Sequence, residues 1–449
     1  MHGAEGMRPR VAILPWGRAF EEYLDPLGVS LEQFRTRISG SWLFNYVRAL
    51  DLAGIDSTIL LVSTSVRRTR WTVHEPTGAD FVIVPAPLRV RAALRLPRAS
   101  STGVPPEHVM SPQQVAVPGR LKAFARELLR YGTTPVSPVL RALRRSRCDA
   151  ILCQEYEYAR FDFCVLAGRL LRIPVFATFQ GGRAPEGVLE RMVRPHSVRA
   201  SAGLIIGAAA EARRVRSAYG VADEQIAQIP NPLALEEVHR PDRVAARAEL
   251  GIPIKAPVLV WHGRVSVVSK GLDLLLAAWG EAAHELAQAG VRLLLIGSGE
   301  DDDWLRRRIH ESPWADRIIW VERYIQSRTD LFRYLSAGDI YVFPSRYEGF
   351  PVAPLEAMAC GLPIIGTPAS GVEEITGRGL DAGGIQVDGS SQALSRAILS
   401  LLQDPAALRS LGAAARRRVE VEFSLQAVGP KLAEWLRSRG LVARSARAG

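Results

Sequence analysis

The stretch DIYVFPSRYEGFPVAPLEAMACGLPIIGT (339–367) decides the fold. It opens on an apolar, β-branched and aromatic run, DIYVFP, and closes on a second one, LPIIGT. Between them PVAPLEAMACG reads as a short helix, with Pro in its opening turn and Gly just past its end. Strand, loop, helix and strand in that order form one unit of a parallel sheet. The loop carries Glu348, and Glu356 follows after seven intervening residues in the early turns of the helix.

The same alternation runs outward along the chain. Upstream, VLVWHG (258–263), VRLLLIGSG (291–299) and RIIWVE (317–322) are further strands of the same half. An earlier series comprises VAIL (11–14), STILLVS (57–63), FVIVP (81–85), AILCQ (150–154) and PVFATF (174–179). A linker-like stretch at 230–253 separates the two series, so the chain is expected to form two Rossmann-like α/β domains facing a central cleft. The expected boundaries are 1–230, 231–425 and a final helical segment, 426–449, crossing back to the first domain. The Pro- and Ser-rich segment 99–118 reads as an irregular surface loop.

Composition fits this picture. A chain of 449 residues, 47% hydrophobic and 23% charged, has material for more than one core. It has no run near the roughly 18 to 20 apolar residues that span a bilayer, and its start, MHGAEGMRPRVAIL, has no long apolar core, so a cytoplasmic protein is expected. Cys148, Cys153, Cys164 and Cys360 show no CxxC spacing, which predicts reduced structural thiols and no zinc site. The net charge of +11 is concentrated in LRVRAALRLPR (88–98) and RALRRSR (141–147). These runs have no interleaved aromatic residues, which argues against nucleic acid and leaves solvated helix faces or peripheral contact with an anionic membrane.

In open α/β sheets ligands sit beyond the carboxyl ends of strands. After VLVWH, Gly263 permits a tight turn, and Arg264 and Lys270 flank a short loop before the helix GLDLLLAAW, where they could clamp phosphate oxygens. After VRLLLI comes GSGE (297–300), in which Gly297 admits close backbone approach. After DIYVFP comes Glu348, followed by a helix start that favours anions, with Glu356 placed to accept hydrogen bonds from vicinal hydroxyls. Asp301, Asp302 and Asp303 directly precede WLRRRIH and are expected to cap that helix. His262 and His196 are expected to be structural or exposed. No GxGxxG follows VAIL, which disfavours a dehydrogenase.

GRVSVVSKGLDLLLAAW, LLLIGSGE and SRYEGFPVAPLEAMACGLPIIGTPASGVEEI together resemble the core of the family-four retaining glycosyltransferases of GT-B architecture, and IPNPLALEEV (229–238) resembles that family's IPNGVD segment. The resemblance implies a nucleoside diphosphate sugar donor, a hydroxyl acceptor, transfer of a hexose with retention of configuration, and neither metal nor cofactor. It assigns Arg264 and Lys270 to the diphosphate and Glu356 to the ribose. Glu348, with the backbone of Gly349, Phe350, Pro351 and Val352, takes the sugar and diphosphate. The family's glycine-rich loop after the first strand maps, beyond a long insertion, to Gly40. Where the family often has His-Gly after the strand PVFATF, this chain has Gln180-Gly181, which puts a catalytic base there in doubt. Glu155 in CQEYEY is expected to face the cleft, and Glu374 stands at the position of the family's matching glutamate. The alternatives are a nucleotide-sugar-binding protein without turnover and a related GT-B epimerase.

Overall fold

The computed structural model describes residues 7–15, 17–95, 127–128, 130–182, 187–238 and 242–443; the segment 99–118 lies outside them, as does the end of the first basic run. Two sheets form. The first has the order β3-β4-β2-β1-β5-β6-β7-β8. Its strands are β1 (Arg10–Pro15), β2 (Asp56–Ser63), β3 (Arg70–Val73), β4 (Asp80–Pro85), β5 (Ala150–Gln154), β6 (Val175–Thr178), β7 (Gly203–Ile205) and β8 (Ile226–Ala227). All pairings are parallel except β3 against β4 at one edge.

The second sheet is wholly parallel, in the order β11-β10-β9-β12-β13-β14. It comprises β9 (Val258–His262), β10 (Arg292–Ile296), β11 (Ile318–Val321), β12 (Ile340–Phe343), β13 (Ile364–Gly366) and β14 (Gly384–Gln386). Every residue of β9 is buried, because helices cover both faces of the sheet and leave no wet side. Strand order reverses between β9 and β12, which opens a crevice at their carboxyl ends.

The insertion after β1 is a packed element. Ser30 and Gln33 form a reciprocal capping box at the helix Leu31–Thr36, and Phe20, Leu24 and Phe34 enter the core beside β1 and β2. It brings Tyr23 and Leu27 to the face between the two sheets.

The end of the chain is interrupted. The helix Pro405–Arg418 passes into a π-helical turn, Val419–Phe423, and Ser424 is extended and accepts from the Ala427 amide to start the helix Leu425–Ser438. That last helix buries Val428, Leu432 and Leu436 in the first sheet's core, and Gly429 lies against the Ala49 carbonyl of the helix Trp42–Leu52. Among the described residues no helix is long and apolar enough to cross a membrane, and all four cysteines are free thiols.

Candidate active site

A cavity of about 360 Å³ lies between the two sheets. It is lined by Gly40, Gly263, Arg264, Lys270, Gly297, Glu348, Gly349, Phe350, Pro351, Val352 and Glu356, so the structure gathers around one space the positions that the sequence marks. Tyr23, Gln180 and Asn231 line its first-sheet side, and His262, Tyr324 and Arg328 complete the other.

The residues after β9 differ locally from the expected short loop. Val267–Lys270 is a single helical turn that leads straight into the helix Leu272–Glu281. Asp301 starts this turn, because its Oδ2 accepts from the Val267 amide at 2.7 Å; contrary to the expectation, it makes no side-chain cap on the helix Asp302–Glu311. Asp302 accepts from the Gly299 amide at 2.8 Å, so Asp301 and Asp302 tie the second sheet's loops together, while Asp303 pairs with Arg306 on the exposed face of its own helix. Gly297 has no room for a Cβ, which would overlap the Gly263 carbonyl oxygen.

Two ion pairs dominate the cavity. Lys270 Nζ lies 2.6 Å from Glu348 Oε1, so these two groups offset each other's charge. Glu356, in the helix Ala353–Ala359, is buried; His262 Nε2 lies 2.8 Å from its Oε2, and Arg328 pairs with its Oε1. Burial opposes ionisation of Glu356, but the Arg328 guanidinium and the His262 hydrogen bond prevail and bring its carboxyl down to about 2. Arg264 is less restrained, with Glu300 3.8 Å away and 42% of its side chain exposed.

His196 is exposed on the helix Val188–Ala200, as expected, and His262 is a buried partner of Glu356 on the cavity wall. Two other expectations are corrected. Glu155 does not line the cavity; it is buried behind the loop after β6. Glu374 is also absent from the lining, and its Oε1 accepts from the Ala209 amide at 2.7 Å, at the start of the helix Ala209–Tyr219.

The sequence left Arg328 unmarked. It opens the helix Arg328–Ser336 and reaches Glu237 through Nε at 3.3 Å, and Glu237 pairs in turn with Arg48 at 2.6 Å. A Cβ at Gly40 would overlap the Arg328 side chain, so that glycine serves close packing across the cleft. Asn231 was also unmarked; its Nδ2 donates to the Phe350 carbonyl at 2.7 Å and meets the Gln180 amide at 3.4 Å.

Residues 256–404 match the family model described as "Glycosyl transferases group 1", and residues 96–237 match that of "Glycosyltransferase Family 4". Together the two models cover well over half of the chain. The chain belongs to glycosyltransferase family four. Among curated members similar to this family-four chain is the GDP-mannose-dependent monoacylated alpha-(1-6)-phosphatidylinositol monomannoside mannosyltransferase of Corynebacterium glutamicum, 33% identical over 44% of this chain and 51% of its own length. A D-inositol 3-phosphate glycosyltransferase of Kineococcus radiotolerans is 28% identical over 54% of this chain and 59% of its own length. The chain thus matches between half and three fifths of these relatives. Anabaena HepE, solved in complex with UDP, superposes with a TM-score of 0.67 at 15% identity, over 96% of this chain and 100% of that one. The fold is therefore the two-domain GT-B architecture of glycosyltransferases.

Proposed function

We propose that the chain transfers a hexose from a nucleoside diphosphate sugar to a hydroxyl acceptor with retention of anomeric configuration. The observation that carries this reading is one cavity at the carboxyl ends of β9, β10 and β12 in which Arg264 and Lys270 stand beside Glu348 and Glu356. A diphosphate entering it meets Arg264, whose pair with Glu300 at 3.8 Å is long and exposed, and competes with Glu348 for Lys270. Glu356, held ionised, presents its remaining lone pairs to ribose hydroxyls. Glu348, released from Lys270, is then placed to meet the sugar.

When the bond between the anomeric carbon and the diphosphate oxygen breaks, its electron pair stays on the diphosphate. Arg264 and Lys270 stabilise that growing charge in a partly dry site, where preorganised cations lower the barrier most. The acceptor oxygen bonds to the anomeric carbon on the face that the diphosphate leaves, and its proton passes to the departing phosphate. Gln180 cannot act as a base; its Nε2 donates to Thr178 Oγ1 at 3.0 Å, which fixes the amide and leaves a lone pair of its Oε1 to orient a hydroxyl.

Names of similar proteins include both GDP-mannose and UDP, so the test is a donor panel. Release of nucleoside diphosphate from one nucleotide-sugar, with a product of unchanged anomeric configuration, supports transfer. Binding of that donor without any release over long incubation would instead make the chain a binding protein.

Contact with an anionic membrane belongs to the same proposal, and the helical layer beside β5 and β6 favours it. Arg141, Arg144, Arg145, Arg169, Arg191 and Arg199 are exposed there, together with Leu166, Leu170 and Met192. Among the described residues from 130 to 200, each acidic side chain, Asp149, Glu155, Glu157, Asp162 and Glu190, is buried. Salt-reversible co-sedimentation with anionic but not neutral vesicles is expected; equal recovery from both would remove the membrane from the proposal.

A further inference from the structure

The backbone at Glu155 is unusual. Its φ is 115°, whereas the other described non-glycine residues with positive φ, Arg147 at 51° and Arg172 at 54°, lie in the ordinary left-handed region. A side chain held in so costly a conformation is retained only where its surroundings over-determine it, and such residues cluster at functional sites. Glu155 is also 1% exposed, and the hydrogen bonds that its carboxylate accepts come from backbone amides.

Those bonds show what the conformation achieves. Oε1 accepts from the Glu157 amide at 3.0 Å, and Oε2 accepts from the Gln180 amide at 3.1 Å and the Gly182 amide at 2.7 Å. The carboxylate sits so close to Gly182 that a Cβ there would overlap it. The loop fixed in this way crosses the cleft. A Cβ on Gly181 would lie 3.0 Å from the Gly349 amide nitrogen, and one on Gly349 would lie 2.5 Å from the Gln180 carbonyl carbon. The loop therefore touches the backbone next to Glu348, and the Gln180 side chain lines the cavity.

We propose that Glu155 is a positioning residue for sugar transfer: from behind the cavity it clamps the Gln180–Gly182 loop against Gly349 and so sets Gln180 and Glu348 at the reacting end of the donor. The inference rests on the donor reading above. Burial raises the Glu155 carboxyl to about 7, which fits a group stabilised by amide donors without a close cation. A glutamine offers one acceptor where the carboxylate offers two, and it turns its NH₂ toward an amide donor, so Glu155→Gln is a small change with a specific defect.

The test uses the full chain with Glu155→Gln, Gly182→Ala and the double variant. GDP and UDP serve as binding probes, GDP-mannose and UDP-glucose as donors, and hydrogen exchange reports on the 178–182 amides. Each single variant should lower kcat by about 10- to 100-fold while leaving nucleoside diphosphate affinity within about twofold, because the clamp acts at the sugar end and not at Glu356. The two losses should not multiply in the double variant, since both break the same clamp. Exchange at Gln180 and Gly182 should rise in all three. A purely structural role would lower affinity and turnover together, and that result, or normal kcat with fast loop exchange, overturns the proposal. If Glu155→Gln does not fold, Gly182→Ala decides alone, because it keeps the carboxylate and moves only its seat. Failure of the wild type to release nucleoside diphosphate from either donor would refute the donor reading, and unchanged loop exchange would refute the clamp.

Discussion

The two walls of the cavity are built differently. On the second-sheet side, side chains carry the charge: Arg264, Lys270, Glu348, Glu356 and Arg328 leave the ends of strands and the starts of helices and pair across a few ångströms. On the first-sheet side, the chain contributes backbone shape, in Gly40 against Arg328, Gly181 against Gly349 and a strained Glu155 behind them. A wall made of charges binds a diphosphate, whereas a wall made of close-packed backbone aligns what is attached to it. Substitutions of the cations and of Glu356 should therefore change affinity, whereas substitutions in the backbone wall, and of Glu348 at the sugar end, should change rate.

The largest expected effect breaks the charged wall. Lys270→Ala removes a cation and leaves Glu348 without its partner, and Arg264→Ala removes the more open cation. Each should cost about 2 to 4 kcal/mol in donor kcat/KM. Near-normal steady-state turnover in both variants would mean that the diphosphate lies elsewhere.

Next comes Glu356→Gln, expected to weaken nucleoside diphosphate binding by about 1.5 to 3 kcal/mol in a calorimetric titration. The same residue gives a pH test. Its folded value of about 2 lies below the ordinary 4.5, so its stabilisation is complete above pH 4.5 and is lost as pH falls through 2. That stabilisation is roughly 3 kcal/mol. Denaturant midpoints of wild type and Glu356→Gln should therefore converge as the solution is acidified.

The smallest effect is expected from the aspartates. Asp303→Asn touches an exposed pair with Arg306, and Asp301→Asn keeps an oxygen for the Val267 amide, so activity with and without chelator should stay within about threefold of wild type. Loss of activity to chelator, restored by manganese, would show that a metal and not the cations serves the leaving group.

What could be read from the sequence follows the same division. Arg264, Lys270, Glu348 and Glu356 are legible only in combination: the apolar runs of β9, β10 and β12 put them at strand ends and the surrounding motifs resemble the family's, whereas the Arg-Lys pair or either glutamate alone reads as a solvated surface group. Arg328 is not, since within SRTDLFRYL it looks like any arginine on a helix surface, and only the fold brings it to Glu356. His262 reads from sequence only as structural or exposed, because nothing local distinguishes a histidine at a strand end that has a buried carboxylate partner. The short strands β3, β7, β8 and β14 escape for another reason: each has two to four residues, and β3, RWTV, alternates polar and apolar over too few positions to stand out and is largely exposed. Glu155 was noticed at its strand end, but its left-handed backbone and amide partners are tertiary facts with no sequence signature.

The most direct test of the cavity as a donor site is calorimetric titration of GDP and UDP into wild type, Lys270→Ala and Glu348→Gln. Glu348 competes with the diphosphate for Lys270, so Glu348→Gln should bind the preferred nucleoside diphosphate at least as tightly as wild type while losing turnover. Lys270→Ala should bind it at least about 30-fold more weakly. Equal weakening in both variants, or no effect in either, would contradict the placing of the diphosphate at Lys270.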